Sequence, residues 1–207
     1  MLKISLTILL NLLFLSASAQ TDNVEHEFKN KLEKVSSTNT TIQCNFTQIK
    51  KVKNIKQPIN SKGMFYYNNS GLMALHYSEP MGDKILMNGD SFTIVSSGKK
   101  LQANASSNPM MSQISYMMQA CMSGDVSKLG RGWNMNVEKY NDEYKVKLTP
   151  SEKRIQKYIA AITMYFDNSN LTLNTLRIDE ASGGYTSYRF TNKKINQQII
   201  KSIFTIK

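Results

Sequence analysis

The sequence predicts a mainly β protein in which a single curved antiparallel sheet forms a half-open β-barrel covered by helices. Three observations carry this. Beyond residue 40 most of the chain alternates apolar and polar residues with period two, in short runs separated by turn signals. Ten or eleven such runs are too many for a flat open sheet, so strong curvature or incomplete closure is required. Two segments instead carry apolar residues at helical spacing, and the hollow face of the sheet is where helices can bury them.

Residues 1–19 read as an export signal. Lys3 gives the positive start, Ile4 to Leu15 is apolar except for Ser5, Thr7 and Asn11, and Ser16-Ala17-Ser18-Ala19 supplies the small residues of a cleavage site before Gln20. The apolar run is too short to span a bilayer, and no later segment is apolar enough to do so. A lipid-anchored protein would carry a Cys directly after the small residues, whereas the first Cys is Cys44. The expectation is a released, periplasmic domain of residues 20–207, of a size that forms one domain with a real core. The full chain carries +11, and loss of Lys3 with the leader leaves about +10. Such a surface suits an anionic membrane or an acidic partner, or simply solvates sheet edges. Nucleic acid is not expected for an exported chain, and a monomer is. The lysines are scattered except for Lys50, Lys51, Lys53 and Lys56 and the pair Lys193-Lys194.

The mature chain opens with an amphipathic helix, because Val24, Phe28, Leu32 and Val35 recur on one face with charges between them. Thr21 or Asp22 can cap it, and Ser36 to Asn39 ends it. Ile42, Cys44 and Phe46 then alternate with polar residues in a half-buried strand. Gly63 to Tyr67 and Leu72 to Tyr77 flank an Asn68-Asn69-Ser70-Gly71 turn, and Lys84 to Met87 and Phe92 to Val95 flank Asn88-Gly89-Asp90. Residues 110–122 change period: Met110, Met111, Ile114, Met117, Met118, Cys121 and Met122 fall at helical spacing after Asn108-Pro109, and Gly124 ends the run. Strands return at Trp133–Tyr140, Tyr144–Leu148, Lys157–Phe166, Leu171–Asp179, Tyr185–Asn192 and Ile199–Ile206. Five methionines lie between Met110 and Met122. Met is unbranched and polarisable and fits variable apolar shapes, so this helix reads either as a pliable lid over a cavity or as plain core.

No catalytic constellation stands out. His26 lies between Glu25 and Glu27 and faces solvent, His76 is a strand residue, and no Gly-x-Ser-x-Gly elbow presents a nucleophile. Asp179 and Glu180 are neighbours on a strand and point to opposite faces. Glycine-rich phosphate loops and metal spacings are absent, so neither an enzyme nor a cofactor is expected. Cys44 and Cys121 read either as a disulfide or as two buried thiols.

Leu32-Glu33-Lys34-Val35-Ser36-Ser37 followed by Asn45-Phe46-Thr47-Gln48 resembles the first helix and strand of the LolA family of periplasmic lipoprotein carriers. Gly63-Met64-Phe65-Tyr66-Tyr67 resembles that family's Gly-x-aromatic strand, Leu75 to Pro80 its next strand, Asn88-Gly89-Asp90 its turn, and Asn108-Pro109-Met110-Met111 the start of its lid helix. Asp179-Glu180, Ser187-Tyr188-Arg189-Phe190 and Ser202-Ile203-Phe204 resemble its last strands. The resemblance implies a carrier that takes acylated lipoproteins from an inner-membrane ABC exporter and passes them to an outer-membrane acceptor. It implies a cavity wall and lid of Leu32, Phe46, Phe65, Met73, Leu75, Met110, Met111, Ile114, Met117 and Met118. The sequence departs from the pattern at Asn69 and Ser70, where many members carry an Arg-Pro pair whose Arg holds the lid shut, and Met73 replaces a cavity aromatic. A carrier or sensor of other acylated molecules on the same fold, or an envelope lipid or glycan enzyme, are the rival readings.

Overall fold

The computed structural model describes residues 23–35, 37–89, 91–104, 117–120 and 132–206. The expected leader, Met110, Met111, Ile114, Cys121 and the expected cap residues of both helices lie outside these. Eleven strands form one open sheet: β1 (Thr41–Lys51), β2 (Ile59–Asn68), β3 (Leu72–Glu79), β4 (Lys84–Asn88), β5 (Ser91–Ser96), β6 (Lys99–Asn104), β7 (Trp133–Tyr140), β8 (Glu143–Pro150), β9 (Ile159–Asp167), β10 (Leu173–Glu180) and β11 (Tyr185–Ile195). Their order is β6-β5-β4-β3-β2-β1-β11-β10-β9-β8-β7, antiparallel throughout. Two meanders, β1 to β6 and β7 to β11, therefore join at the centre through β1 and β11. The predicted fold class holds.

The order has a topological consequence. β6 and β7 are consecutive in sequence yet form the two opposite edges of the sheet. The connection between them must cross from one edge to the other. Its described part, α2 (117–120), is helical, and Met117, Met118 and Ala120 are buried in the same core as the sheet's inner face.

Helix α1 (23–35) forms as the apolar spacing requires. Phe28 and Leu32 are buried, and Val24 and Val35 pack against the same core at its margin. Each full burial contributes about 1.5–3 kcal/mol. The Phe28 ring lies 5.4 Å from Tyr144 and 5.2 Å from Phe166, which seats α1 on the β8–β9 side. At its outer face Glu27 accepts from Lys31 (2.9 Å), Lys139 (3.1 Å) and the Tyr144 hydroxyl (2.8 Å). These contacts, Lys31 and Tyr144 first, hold the Glu27 carboxyl down at about 2.

The inner face is the period-two set read from the sequence. Ile42, Cys44 and Phe46 of β1 are buried, as are Phe65 and Tyr67 of β2, Met73 and Leu75 of β3, and Ile162, Met164 and Phe166 of β9. Gly63 has a specific role. It pairs with Phe46 on one side and Tyr77 on the other, and those two rings meet edge-on at 5.0 Å. With no side chain between them the rings close over β2. A Cβ at position 63 would lie 2.0 Å from the His76 carbonyl oxygen.

Three expectations need correction. Ile199–Ile206 is not a strand: it is irregular with a 3-10 turn at Lys201–Phe204. Every strand it could join is already paired on both sides, since β11 lies between β1 and β10 and β3 lies between β2 and β4. The segment instead crosses the convex face, tied by Thr41 Oγ1 to the Gln197 carbonyl (2.7 Å) and by His76 Nε2 to the Ile203 carbonyl (2.9 Å). Strand β6 was not expected, and the start of the Lys157–Phe166 run is a turn after the short helix α3 (Lys153–Gln156), with β9 beginning at Ile159.

Candidate functional site

The concave side of the sheet is filled in two parts. α1 covers the β8–β9 region, and a cavity of about 100 Å³ lies further round, under α2. Phe65, Leu75, Ile85, Met87, Leu176, Ile178, Tyr188 and Phe190 form its walls from five strands, and Met118 closes it from α2. The walls follow the strand register: Ile85 beside Leu75, Leu75 beside Phe65, and Tyr188 beside Leu176. Phe65 on β2 and Phe190 on β11 are separated by β1, yet their ring centroids are 5.4 Å apart. Two strand spacings amount to roughly 9.6 Å, so both rings lean across β1. Cys44, which pairs with Phe65, is small enough to admit them.

Among the described residues the lining is apolar with one exception, the Tyr188 hydroxyl. Beside it the Tyr77 hydroxyl donates to Gln48 Oε1 at 2.8 Å. Burial pushes both phenols well above their ordinary range. Cys44 is a free, buried thiol, pushed up to about 12 by burial. Among the described residues no charged side chain lines the space. A buried apolar lining of this kind offers dispersion and desolvation to a ligand.

The polar residues weighed in the sequence lie elsewhere. His76 is on the convex face, where burial holds it below the ordinary histidine range while it contacts Ile203. Asp179 is paired with Arg177 at 2.8 Å on β10, four strand spacings from β3. His76 and Asp179 are not brought together. Lys193 donates to Thr172 Oγ1 (2.9 Å) and Asn174 Oδ1, and burial depresses its pKa. Among the described residues no group of three or more His, Cys, Asp or Glu could hold a metal. No helix among them is long and apolar enough to cross a membrane.

Of the expected wall residues, Phe65, Leu75 and Met118 line the cavity directly. Leu32, Phe46, Met73 and Met117 are buried in the core around it without lining it. Sequence reasoning missed Ile85, Met87, Leu176, Ile178, Tyr188 and Phe190, although each lies in a run of period-two alternation. Asn69 and Ser70, at the position of the expected latch, are exposed in the β2–β3 turn, and the Asn69 amide donates to Thr40 O at 2.8 Å. A tie between α2 and a hairpin runs elsewhere: Gln119 Nε2 reaches the Gly89 carbonyl of the β4–β5 turn at 3.4 Å. That is a long, neutral hydrogen bond, weaker than a guanidinium would make.

A family model for the outer membrane lipoprotein carrier protein LolA matches residues 37–207. The chain belongs to the LolA family. Among solved structures, a LolA superfamily protein, NE2245 from Nitrosomonas europaea, is 12% identical, with a TM-score of 0.46, covering 87% of this chain and 97% of its own. An uncharacterised conserved protein from Thermus thermophilus is 8% identical at a TM-score of 0.50, covering 86% and 90%. MucB is 9% identical at a TM-score of 0.51, covering 88% of this chain and 62% of MucB. The last two share the fold. No curated protein matches the sequence. Membership of the LolA family supports a lipoprotein-binding or carrier-type role.

Proposed function

We propose that this LolA-family protein is a periplasmic carrier that binds lipoprotein acyl chains between the curved sheet and the Met-rich helix and shuttles them from the inner to the outer membrane. The observation that supports it most is a cavity whose described lining is apolar apart from one tyrosine hydroxyl. Each methylene exposed to water costs about 0.8 kcal/mol, so a long acyl chain cannot cross an aqueous compartment unaided. Removing that cost needs only an apolar enclosure.

The cavity of about 100 Å³ is smaller than the roughly 150 Å³ void that holds a benzene molecule. The state described is therefore closed, and loading requires the helix carrying Met117 and Met118 to move outward. Met110, Met111 and Ile114 on the same run would extend the apolar roof, and Leu32, Phe46 and Met73 would join the floor once it moves. An ABC exporter at the inner membrane and an acceptor at the outer membrane complete the route.

The test is native mass spectrometry of protein purified gently from an envelope extract, then titrated with a triacylated peptide. Co-purified acylated protein, or a stoichiometric mass shift, is the expected result. A clean mass that does not shift would overturn the proposal.

A further inference from the structure

The two ends of the sheet differ sharply in charge. One end collects the β1–β2, β3–β4, β5–β6, β8–β9 and β10–β11 connections. Residues 49–62, 79–84, 96–100, 150–159 and 179–185 there hold eleven basic and five acidic side chains. At the opposite end, the described residues 37–41, 68–72, 87–89, 91, 139–144, 166–173 and 191–197 hold three basic and three acidic. The basic end also exposes apolar side chains that nothing covers: Ile55 is 48%, Ile59 51%, Met81 90% and Tyr158 48% exposed.

The β1–β2 hairpin concentrates both properties. Lys50, Lys53 and Lys56 are exposed, alternate with Ile55 and Ile59, and form no ion pair among the described residues. The loop holds a fixed shape, because Lys51 Nζ turns inward and donates to the Ile55 and Lys56 carbonyls at 2.6 and 2.7 Å. Lys53 reaches the neighbouring hairpin: a Cβ at Gly183 would lie 3.8 Å from its Cδ. Exposed lysines interleaved with exposed isoleucines and a Met, all at one end of a rigid sheet, match an anionic bilayer. Lysines meet the headgroups and short apolar side chains enter the interface.

We propose that this end is a docking surface for anionic phospholipid bilayers, so that the carrier binds a membrane surface by its β1–β2 hairpin. This goes beyond cargo binding and does not depend on which cargo is carried.

The test is co-sedimentation of the protein with vesicles of phosphatidylethanolamine and phosphatidylglycerol, compared with phosphatidylcholine alone. Each lysine at such a surface is worth about five-fold in partition, so K50Q/K53Q/K56Q should lose binding by on the order of a hundred-fold. Ile55→Ser with Ile59→Ser should lose roughly ten-fold. Lys194→Gln, at the opposite end, should lose far less than Lys53→Gln. Met118→Asp should retain vesicle binding while losing acyl binding, which separates this surface from the cavity. All the substituted hairpin positions are exposed, and unchanged thermal melts would confirm that each variant is folded. The proposal is overturned if the protein does not prefer the anionic vesicles. It is equally overturned if Lys194→Gln matches Lys53→Gln, or if Met118→Asp abolishes sedimentation. Full competition by heparin together with no effect of the Ile changes would also sink it, by pointing to an acidic polymer instead.

Discussion

Leu176→Phe places an aromatic ring on β10 at a position that is 4% exposed and whose side chain lines the cavity. Apolar voids cost about 24 cal/mol per Å³, so a cavity near 100 Å³ withholds about 2 kcal/mol from the closed state. A Phe that fits into it recovers up to about 1–2 kcal/mol, a rise in melting temperature of about 2–6 °C for a domain of this size. The same ring occupies the space an acyl chain would enter. Affinity for a fluorescent fatty-acid probe should fall by at least about ten-fold, or 1.4 kcal/mol. Stability and binding thus move in opposite directions, which no general loosening of the fold can imitate. The assays are a thermal melt by circular dichroism and a probe titration on the same samples. A variant that melts higher but binds the probe unchanged would place the lipid site elsewhere. A variant that melts several degrees lower would show that the space is not available to a side chain.

The other predictions test the frame around the cavity. Gly63→Ala puts a Cβ 2.0 Å from the His76 carbonyl oxygen and should cost about 3 kcal/mol or more, read as a shift in the denaturant midpoint; a loss under about 1 kcal/mol would refute the close approach. Glu27 is held at about 2 against an ordinary 4.5, so its contribution is full above pH 4.5 and is lost as pH falls toward 2. Glu27→Gln should flatten the acid limb of a stability–pH curve, and an unchanged limb would remove Glu27 as the anchor of α1. In a Cys121→Ser background the Cys44 thiol, pushed up to about 12 by burial, should resist alkylation at neutral pH until the protein is denatured. Rapid labelling of the native protein would show that the sheet centre opens.

The strands of the inner face were legible because burial on one face imposes a period of two, as in Ile42-Cys44-Phe46 or Tyr188-Phe190. The parts that were missed lack that cause. β6, Lys99–Asn104, is exposed except for a half-buried Ala103, and is held by its ladder to β5. Hydrogen bonds of that kind leave no mark on hydrophobic spacing. α3 buries only Ile155 in four residues, too few for any periodicity. The tail over 199–206 carried apolar residues in strand-like spacing for a different reason. Ile203 and Phe204 are half-buried against the convex face, where a strand has no free edge to join. At the site, the sequence separated inward from outward side chains but not cavity wall from solid core. Phe46 and Phe65 carry the same pattern, and only the curvature of the sheet puts one beside the void and the other away from it.

The central pairing of β1 with β11 has a kinetic meaning. Ile42 stands beside Ile195, and Phe46 beside Phe190, so the middle of the sheet is closed by contacts between chain ends. Local hairpins form quickly, whereas pairings of such high contact order are slow. The two meanders can fold as separate units, but neither holds the cavity. Phe65, Leu75, Ile85 and Met87 belong to the first, and Leu176, Ile178, Tyr188 and Phe190 to the second. The apolar walls meet only when the last long-range zipping step is complete. Until then each half presents a greasy, half-curved sheet to its surroundings, and the risk of aggregation is greatest in that interval.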